Sequence, residues 1–204
     1  MSEIDTKLFV IEDIARDEDK LAEAAALLRA GKVVAIPTET VYGLGASIDC
    51  DEAIKNVFLA KGRPQDNPLI VHVDRVEMAK ELYAHFPPEA QALTDAFWPG
   101  PLTIILPKAE RVSSTVSGGL DTVAVRMPSD PIAHRLIELA GVPIAAPSAN
   151  LSGYPSPTTA RHVQRDLMGK IDGIVCGPDC QVGVESTVIS LAGSVPELLR
   201  PGAV

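Results

Sequence analysis

Hydrophobic positions along the chain follow two periods, one helical and one extended. Over 17–30, apolar side chains such as Leu21, Ala24 and Leu28 recur every three or four residues, and Gly31 follows as a stop signal. Other apolar stretches are short and continuous, as in 32–36, which is typical of buried strands. The pattern therefore predicts a chain that builds both helices and buried strands.

The same criteria assign the rest of the chain. We predict helices over 17–30, 51–61, 76–83, 88–97, 130–140 and 158–168. We predict strands over 32–36, 69–73, 102–106, 122–126, 142–146, 173–175, 186–191 and 197–199. Most strands alternate with helices, but some follow each other directly, which favours an α/β fold with a twisted mixed sheet and surrounding helices. No repeat or linker divides the sequence, so we expect a single domain over 1–204.

Composition narrows the class of protein. Aromatic residues make up only 4% of the chain, so the core must be mainly aliphatic, and the net charge of −9 argues against general nucleic-acid binding. The acidic N-terminus has no signal-peptide pattern, and no apolar run is long enough to span a membrane. We therefore expect a cytoplasmic protein with no membrane partner. The three cysteines suggest neither a disulfide framework nor a zinc site.

Polar and glycine-rich segments cluster where predicted strands end. The segments are 37–45, 61–69, 126–128, 147–153 and 183–187. Each one alone is ordinary turn chemistry, but α/β folds place ligands in loops at strand ends. The segments carry Lys61, Arg63 and Arg126, which suit a polyanion, while Ser148 and Asn150 offer neutral donors and acceptors. Together they predict an anion-binding cleft.

Several familiar sites are absent from the sequence. Gly43-Leu44-Gly45 lacks the third glycine of a dinucleotide fingerprint, and no glycine-rich loop ends in Gly-Lys-Ser/Thr. Ser148 and Ser186 lie outside any nucleophile-elbow pattern, and the four histidines have no metal-ligand spacing. For His72 two interpretations stay open, a strand-end histidine satisfied by the fold and a ligand contact.

Five ordered motifs together resemble one family. In order, they are Pro37-Thr38-Glu39-Thr40-Val41-Tyr42-Gly43-Leu44-Gly45, Lys61-Gly62-Arg63-Pro64 with Asn67-Pro68-Leu69, Trp98-Pro99-Gly100-Pro101-Leu102-Thr103, Pro147-Ser148-Ala149-Asn150 and Gly183-Val184-Glu185-Ser186-Thr187. The chain closely resembles the YrdC-like family of L-threonylcarbamoyladenylate synthases, from the first helix to Arg200-Pro201-Gly202.

The resemblance implies a fold and a reaction. The fold would be a twisted α/β sheet enclosing a large concave, positively lined cavity. The enzyme would be a nucleotidyltransferase that joins L-threonine, bicarbonate and ATP, with Mg²⁺, into threonylcarbamoyl-AMP, releasing pyrophosphate and water. Its product would pass to a separate threonylcarbamoyl transferase machinery that modifies tRNA to N6-threonylcarbamoyladenosine, and weak tRNA binding is a further expectation.

The resemblance also implies roles for individual residues. The catalytic set would be Lys61, Arg63, Ser148 and Asn150. ATP would be contacted by Arg63, Asn67, Thr122, Ser148, Ser156 and Arg200. Threonine would be contacted by Thr40, His72, Arg126, Ala146 and Ser186. Within these sets, Arg126 suits the threonine carboxylate and Lys61 suits phosphate, while dedicated metal ligands are not evident in the sequence.

Two alternatives remain at this point. One is a carbamoyl-AMP-forming module like that of hydrogenase maturation carbamoyltransferases, although nothing here resembles their additional portions. The other is a non-enzymatic RNA-binding module that uses the basic cavity, which the acidic net charge disfavours. Some relatives continue into a second domain, so the sequence fits either a single-domain member or part of a longer protein.

Overall fold

The computed structural model describes residues 4–204, which form both helices and strands, several of them following each other directly. The helices are Glu18–Arg29 (α1), Asp51–Lys61 (α2), Val76–Lys80 (α3), Pro88–Phe97 (α4), Ser114–Ser117 (α5), Pro131–Ala140 (α6) and Ala160–Leu167 (α7). The strands are Lys7–Val10 (β1), Val34–Ile36 (β2), Gly43–Ser47 (β3), Ile70–His72 (β4), Leu102–Pro107 (β5), Thr122–Arg126 (β6), Ile144–Ala145 (β7), Gly173–Cys176 (β8), Thr187–Ser190 (β9) and Glu197–Arg200 (β10).

All ten strands join one mixed sheet in the order β1-β8-β2-β3-β7-β4-β6-β5-β9-β10. The β4–β6 pair is parallel and sets His72 opposite Arg126, whereas β7 runs antiparallel to β4 and places Ile144 opposite His72. The segment after β7 therefore continues past Ile70 at the start of β4, where the amide of Ala146 donates to the Ile70 carbonyl at 3.0 Å. The predicted α/β class with a mixed sheet is confirmed.

Glycine fixes the end of α2 and aspartate fixes the start of α6. Helix α2 ends at Gly62, whose φ of 61° closes the helix in the left-handed conformation that glycine adopts readily. Helix α6 starts after Asp130, whose carboxylate accepts hydrogen bonds from the amides of Ile132 and Ala133. The first of these ends holds Lys61 and Arg63 beside the sheet.

Strand β3 corrects the sequence analysis, which treated 37–45 as a polar loop. Residues 43–47 are buried and pair with both β2 and β7. A Cβ on Gly45 would lie 3.0 Å from both the Ile144 side chain and the Val34 carbonyl oxygen, so glycine permits this close packing. Strand β1 and helix α5 were also not predicted, while α3 and β7 are shorter than expected.

The core is aliphatic, as the low aromatic content predicts. Fully buried leucines and isoleucines form one continuous cluster, with Tyr42 and Phe58 as its largest fully buried aromatic members. None of the helices formed by residues 4–204 is both long enough and apolar enough to cross a bilayer. The three cysteines are free thiols.

Candidate active site

A cavity of about 250 Å³ opens where the central strands end. Its wall comes from the segment after β2, the start of β3, the ends of β4 and β6, and the segment after β7. Eight residues predicted from the sequence line it together: Thr40, Arg63, His72, Arg126, Ala146, Ser148, Ser186 and Arg200. The fold therefore gathers groups from all five polar segments into one site.

Five other predicted residues do not line this cavity. Asn67 precedes Pro68, which does line it, and Ser156 donates a hydrogen bond to the lining residue Glu185. Thr122 lies at the start of β6, four residues before Arg126. Lys61 and Asn150 are buried behind the wall and bond to each other. Their assigned roles in ATP binding and catalysis stay predictions.

Arg126 forms a buried ion pair at the cavity floor. Its Nη2 lies 2.6 Å from Glu39 Oε1, and the two side chains are only 5% and 10% exposed. Neither atom has a well-directed hydrogen bond, so the pair is held mainly by charge. Burial is the largest influence and raises the pKa of Glu39, but the charge and close contact of Arg126, together with backbone amides, outweigh it, so the net pKa is lowered. Glu39 is therefore an anion that offsets part of the Arg126 charge.

Neutral polar groups surround Arg126. Its Nη1 donates to Thr40 Oγ1 at 2.9 Å, and Thr40 Oγ1 lies 3.0 Å from Thr38 Oγ1. Burial, and then the charge of Arg126, lowers the pKa of His72 to about 3, so the ring is neutral at pH 7. His72 Nδ1 lies 3.2 Å from the Ile70 carbonyl, to which it donates as the protonated nitrogen, leaving Nε2 as an acceptor.

Arg200 forms a second network of polar contacts in the cavity wall. Its Nη1 lies 2.6 Å from Glu185 Oε2, and Nε and Nη2 donate to the carbonyl and hydroxyl oxygens of Ser186. Glu185 Oε1 also accepts from Ser156 Oγ at 3.0 Å, and Ser186 Oγ lies 2.8 Å from Thr103 Oγ1. This network links residues assigned to ATP with one assigned to threonine.

Arg63 differs from the other two arginines. It is half-buried in the cavity wall, and its guanidinium makes no ion pair or hydrogen bond with the residues at 4–204. All five of its N–H donors are therefore available to a ligand. Among the three cavity arginines, Arg63 is the group most ready to bind a phosphate bidentately.

Lys61 is placed differently from the sequence prediction, which turned it toward phosphate. It is 3% exposed, and its ammonium donates to the carbonyl oxygens of Ser148 and Asn150 and to Asn150 Oδ1. Burial, followed by the charge of Arg63, lowers the pKa of Lys61 to about 8. In this structure it contacts protein oxygens behind the cavity wall.

Sequence reasoning missed two functional acids. Glu39 and Glu185 both lie inside quoted motifs, yet their roles as partners of Arg126 and Arg200 depend on contacts across 87 and 15 positions of chain. The available signal was a single acid in each polar segment, which does not identify its partner. Glu185 is the one carboxylate in the cavity lining found among the described residues.

The charge balance of the cavity suits anions. Three arginines line it, His72 is neutral, and Glu39 and Glu185 offset the charge only in part. Within residues 4–204, no cluster of three or more histidine, cysteine or acidic side chains could hold a metal ion. The arrangement can bind and juxtapose two anionic groups without a protein-held metal.

Comparison with known proteins identifies the family. The family model for Sua5, YciO and YrdC proteins, described as "Telomere recombination", matches residues 26–202. The threonylcarbamoyl-AMP synthase of Pyrococcus abyssi is 56% identical over 186 residues, covering 91% of this chain and 55% of that protein. The Bacillus subtilis protein of the same name is 53% identical, covering 96% of this chain and 57% of that protein.

A solved structure gives the same result. The crystal structure of P. abyssi Sua5 complexed with L-threonine superposes with a TM-score of 0.94 and 55% identity, covering 97% of this chain and 58% of that one. The chain therefore spans a little over half the length of the relatives it matches. On the family match and these identities, the chain belongs to the Sua5/YciO/YrdC family.

Proposed function

We propose that this chain is an L-threonylcarbamoyladenylate synthase. It would join L-threonine, bicarbonate and ATP into threonylcarbamoyl-AMP and release pyrophosphate and water. The observation that carries the proposal is the convergence of Thr40, His72, Arg126, Ala146 and Ser186 with two further arginines in one cavity. Relatives of the same fold and above 50% identity bear the synthase name, and one was solved with L-threonine.

The amino-acid end of the site suits a zwitterion that must become a nucleophile. Arg126 is positioned to bind the threonine carboxylate, with Thr40 and Glu39 holding the guanidinium in place. His72 Nε2 is an acceptor for the N–H of the amine. After the ammonium has lost a proton to water, the neutral amine attacks bicarbonate, the C–OH bond breaks, and a carbamate forms with loss of water.

The second step brings two anions together. The carbamate oxygen attacks the α-phosphorus of ATP, the bond to the β-phosphate oxygen breaks, and pyrophosphate leaves. Cations fixed by the fold must offset the repulsion and the charge of the pentacoordinate transition state. Arg63 and Arg200 lie in the same cavity as Arg126, and holding both reactants there contributes up to about 7–11 kcal/mol through proximity.

Mg²⁺ enters this scheme as part of the nucleotide substrate. The residues at 4–204 offer it no cluster of ligands, and the carboxylate of Glu185 is engaged by Arg200 and Ser156. The phosphates and water would hold the ion, as is common for Mg²⁺. The product would then pass to a separate transferase that modifies tRNA.

Pyrophosphate release tests the proposal. The chain should release pyrophosphate from ATP only when L-threonine and bicarbonate are both present. Arg126→Ala should lose this threonine-dependent release at threonine concentrations that saturate the unmodified chain. Release without an amino acid, or with carbamoyl phosphate replacing both co-substrates, would point to a carbamoyl-AMP-forming activity and contradict the proposal. RNA binding that ATP does not displace, without pyrophosphate release, would favour an RNA-binding module.

A further inference from the structure

The Lys61 ammonium has no hydrogen left for a ligand. An ammonium group carries three N–H donors. The structure gives it three oxygen acceptors, namely the Ser148 carbonyl, the Asn150 carbonyl at 2.8 Å and Asn150 Oδ1 at 3.3 Å. With 3% of the residue exposed and no place in the cavity lining, Lys61 acts on the protein instead of touching phosphate.

The orientation of the Asn150 amide is fixed by its partners. Asn150 Nδ2 donates to the carbonyls of Leu151 and Tyr154, each at 2.8 Å. A flipped amide would set Oδ1 against these two carbonyls and Nδ2 against an ammonium, and all three of these contacts would be repulsive. Asn150 Oδ1 therefore faces Lys61 and Ser148, and Ser148 Oγ donates to it at 2.6 Å.

These contacts join two segments that are far apart in the chain. Lys61 is the last residue of α2, and its own carbonyl accepts a hydrogen bond from the amide of Ser152 at 2.8 Å. Side chain and main chain of one residue thus hold the loop 147–154 at two points. Ser148 is the member of this network that lines the cavity.

We propose that Lys61 is a positioning residue that ties the loop 147–154 to the end of α2 and so fixes the Ser148 hydroxyl in the wall of the nucleotide site. The nucleotide part of this statement rests on the proposed function. The charged groups that act on Lys61 are Arg63, which follows α2, and Glu185. Neither side chain makes a hydrogen bond to residues 147–154, so the loop depends on the Lys61 ammonium itself.

Hydrogen exchange of the ligand-free protein tests the structural half. The backbone amides of Ala149, Ser152 and Tyr154 donate within or from the loop. In Lys61→Met, which keeps side-chain length without the charge, these amides should exchange at least about tenfold faster, while amides of β5 keep their rates. Unchanged loop protection in a folded Lys61→Met protein would overturn the proposal. The matched control is Lys55→Met, an exposed lysine of the same helix, which should change nothing.

A double-mutant cycle on ATP binding tests the positioning half. Lys61→Met and Ser148→Ala should each weaken ATP binding roughly three- to tenfold, and the double variant should be no weaker than Ser148→Ala alone. If Lys61 bound phosphate directly, the two losses would multiply, and the proposal would be wrong. Absence of ATP binding by the unmodified chain would refute the proposed function, while the exchange experiment would still decide the role of Lys61.

A second variant tests the same proposal if the Lys61→Met protein does not fold. Asn150→Ala removes the amide through which Lys61 acts, at a residue that does not line the cavity. It should weaken ATP binding to the same extent as Ser148→Ala and speed exchange in the same loop. ATP affinity and loop protection equal to those of the unmodified protein would overturn the proposal.

Discussion

Removing Arg126 should separate two effects, one on threonine binding and one on stability. In Arg126→Ala, threonine loses the charged partner of its carboxylate. A hydrogen bond of this kind is worth about 1.5–3 kcal/mol. Since each 1.4 kcal/mol is tenfold, the dissociation constant for L-threonine should rise roughly 10- to 150-fold, as measured by isothermal titration calorimetry.

The stability effect follows from Glu39. Arg126→Ala leaves this carboxylate 10% exposed without its partner at 2.6 Å. Removing one member of a buried pair costs about 3–5 kcal/mol because the remaining charge is uncompensated. For a chain of this length, that loss lowers Tm by about 6–20 °C in a thermal denaturation experiment.

The matched variant is Arg126→Ala combined with Glu39→Gln. This double variant removes the uncompensated charge of Glu39, so most of the decrease in Tm should be reversed, while threonine binding stays weak. Recovery of threonine affinity together with stability would show that Arg126 acts only through the fold. A folded Arg126→Ala protein that binds threonine normally would refute the assignment outright.

Three further outcomes follow from the site. Arg63→Ala should weaken ATP binding by roughly ten- to a hundredfold and reduce the salt dependence of that binding. Arg63→Lys should retain only part of the ATP affinity of the unmodified chain. Calorimetry that gives Arg63→Ala the same ATP affinity as the unmodified chain would contradict this. The buried neutral His72 has its pKa lowered to about 3, so the unfolded chain binds more protons between pH about 3 and 6.5, and stability should fall as pH falls through that window. His72→Gln should flatten the decline in denaturant titrations across this range, and an unchanged slope would contradict it. A Cβ on Gly202 would overlap the Glu185 carbonyl oxygen and lie 2.6 Å from the Ser186 carbonyl carbon, so Gly202→Ala should destabilise the fold and weaken threonine binding. Gly193→Ala, whose Cβ would have its nearest contact at 3.7 Å, should do neither.

The sequence predicted those elements whose ends carry local signals. Helix α6 lies within its predicted range because Asp130 caps it and Gly141, with φ of 67°, ends it. Strand β3 was missed because its two glycines have low strand propensity, and its role depends on close packing against Ile144. Strand β1 was missed because it is an edge strand with only Phe9 buried, so it lacks a continuous apolar run.

The same limit applies to the site. The clustering of polar segments at predicted element ends was enough to place Arg63, Arg126 and Ser148 in one cavity, because each follows or ends an element that the pattern identifies. It could not show that all three N–H donors of Lys61 are bound to protein oxygens, or that Glu39 faces Arg126. Those facts depend on packing between segments far apart in the chain, which residue type and spacing do not encode.

The most direct test is to detect the product itself. The chain would be incubated with ATP, Mg²⁺, L-threonine and ¹³C-labelled bicarbonate, and the nucleotides separated at once and analysed by mass spectrometry. The account predicts threonylcarbamoyl-AMP that carries one ¹³C atom in its carbamoyl group, formed with one pyrophosphate per molecule. Pyrophosphate released without this labelled adenylate, or no turnover by a folded protein that binds both ATP and threonine, would contradict it.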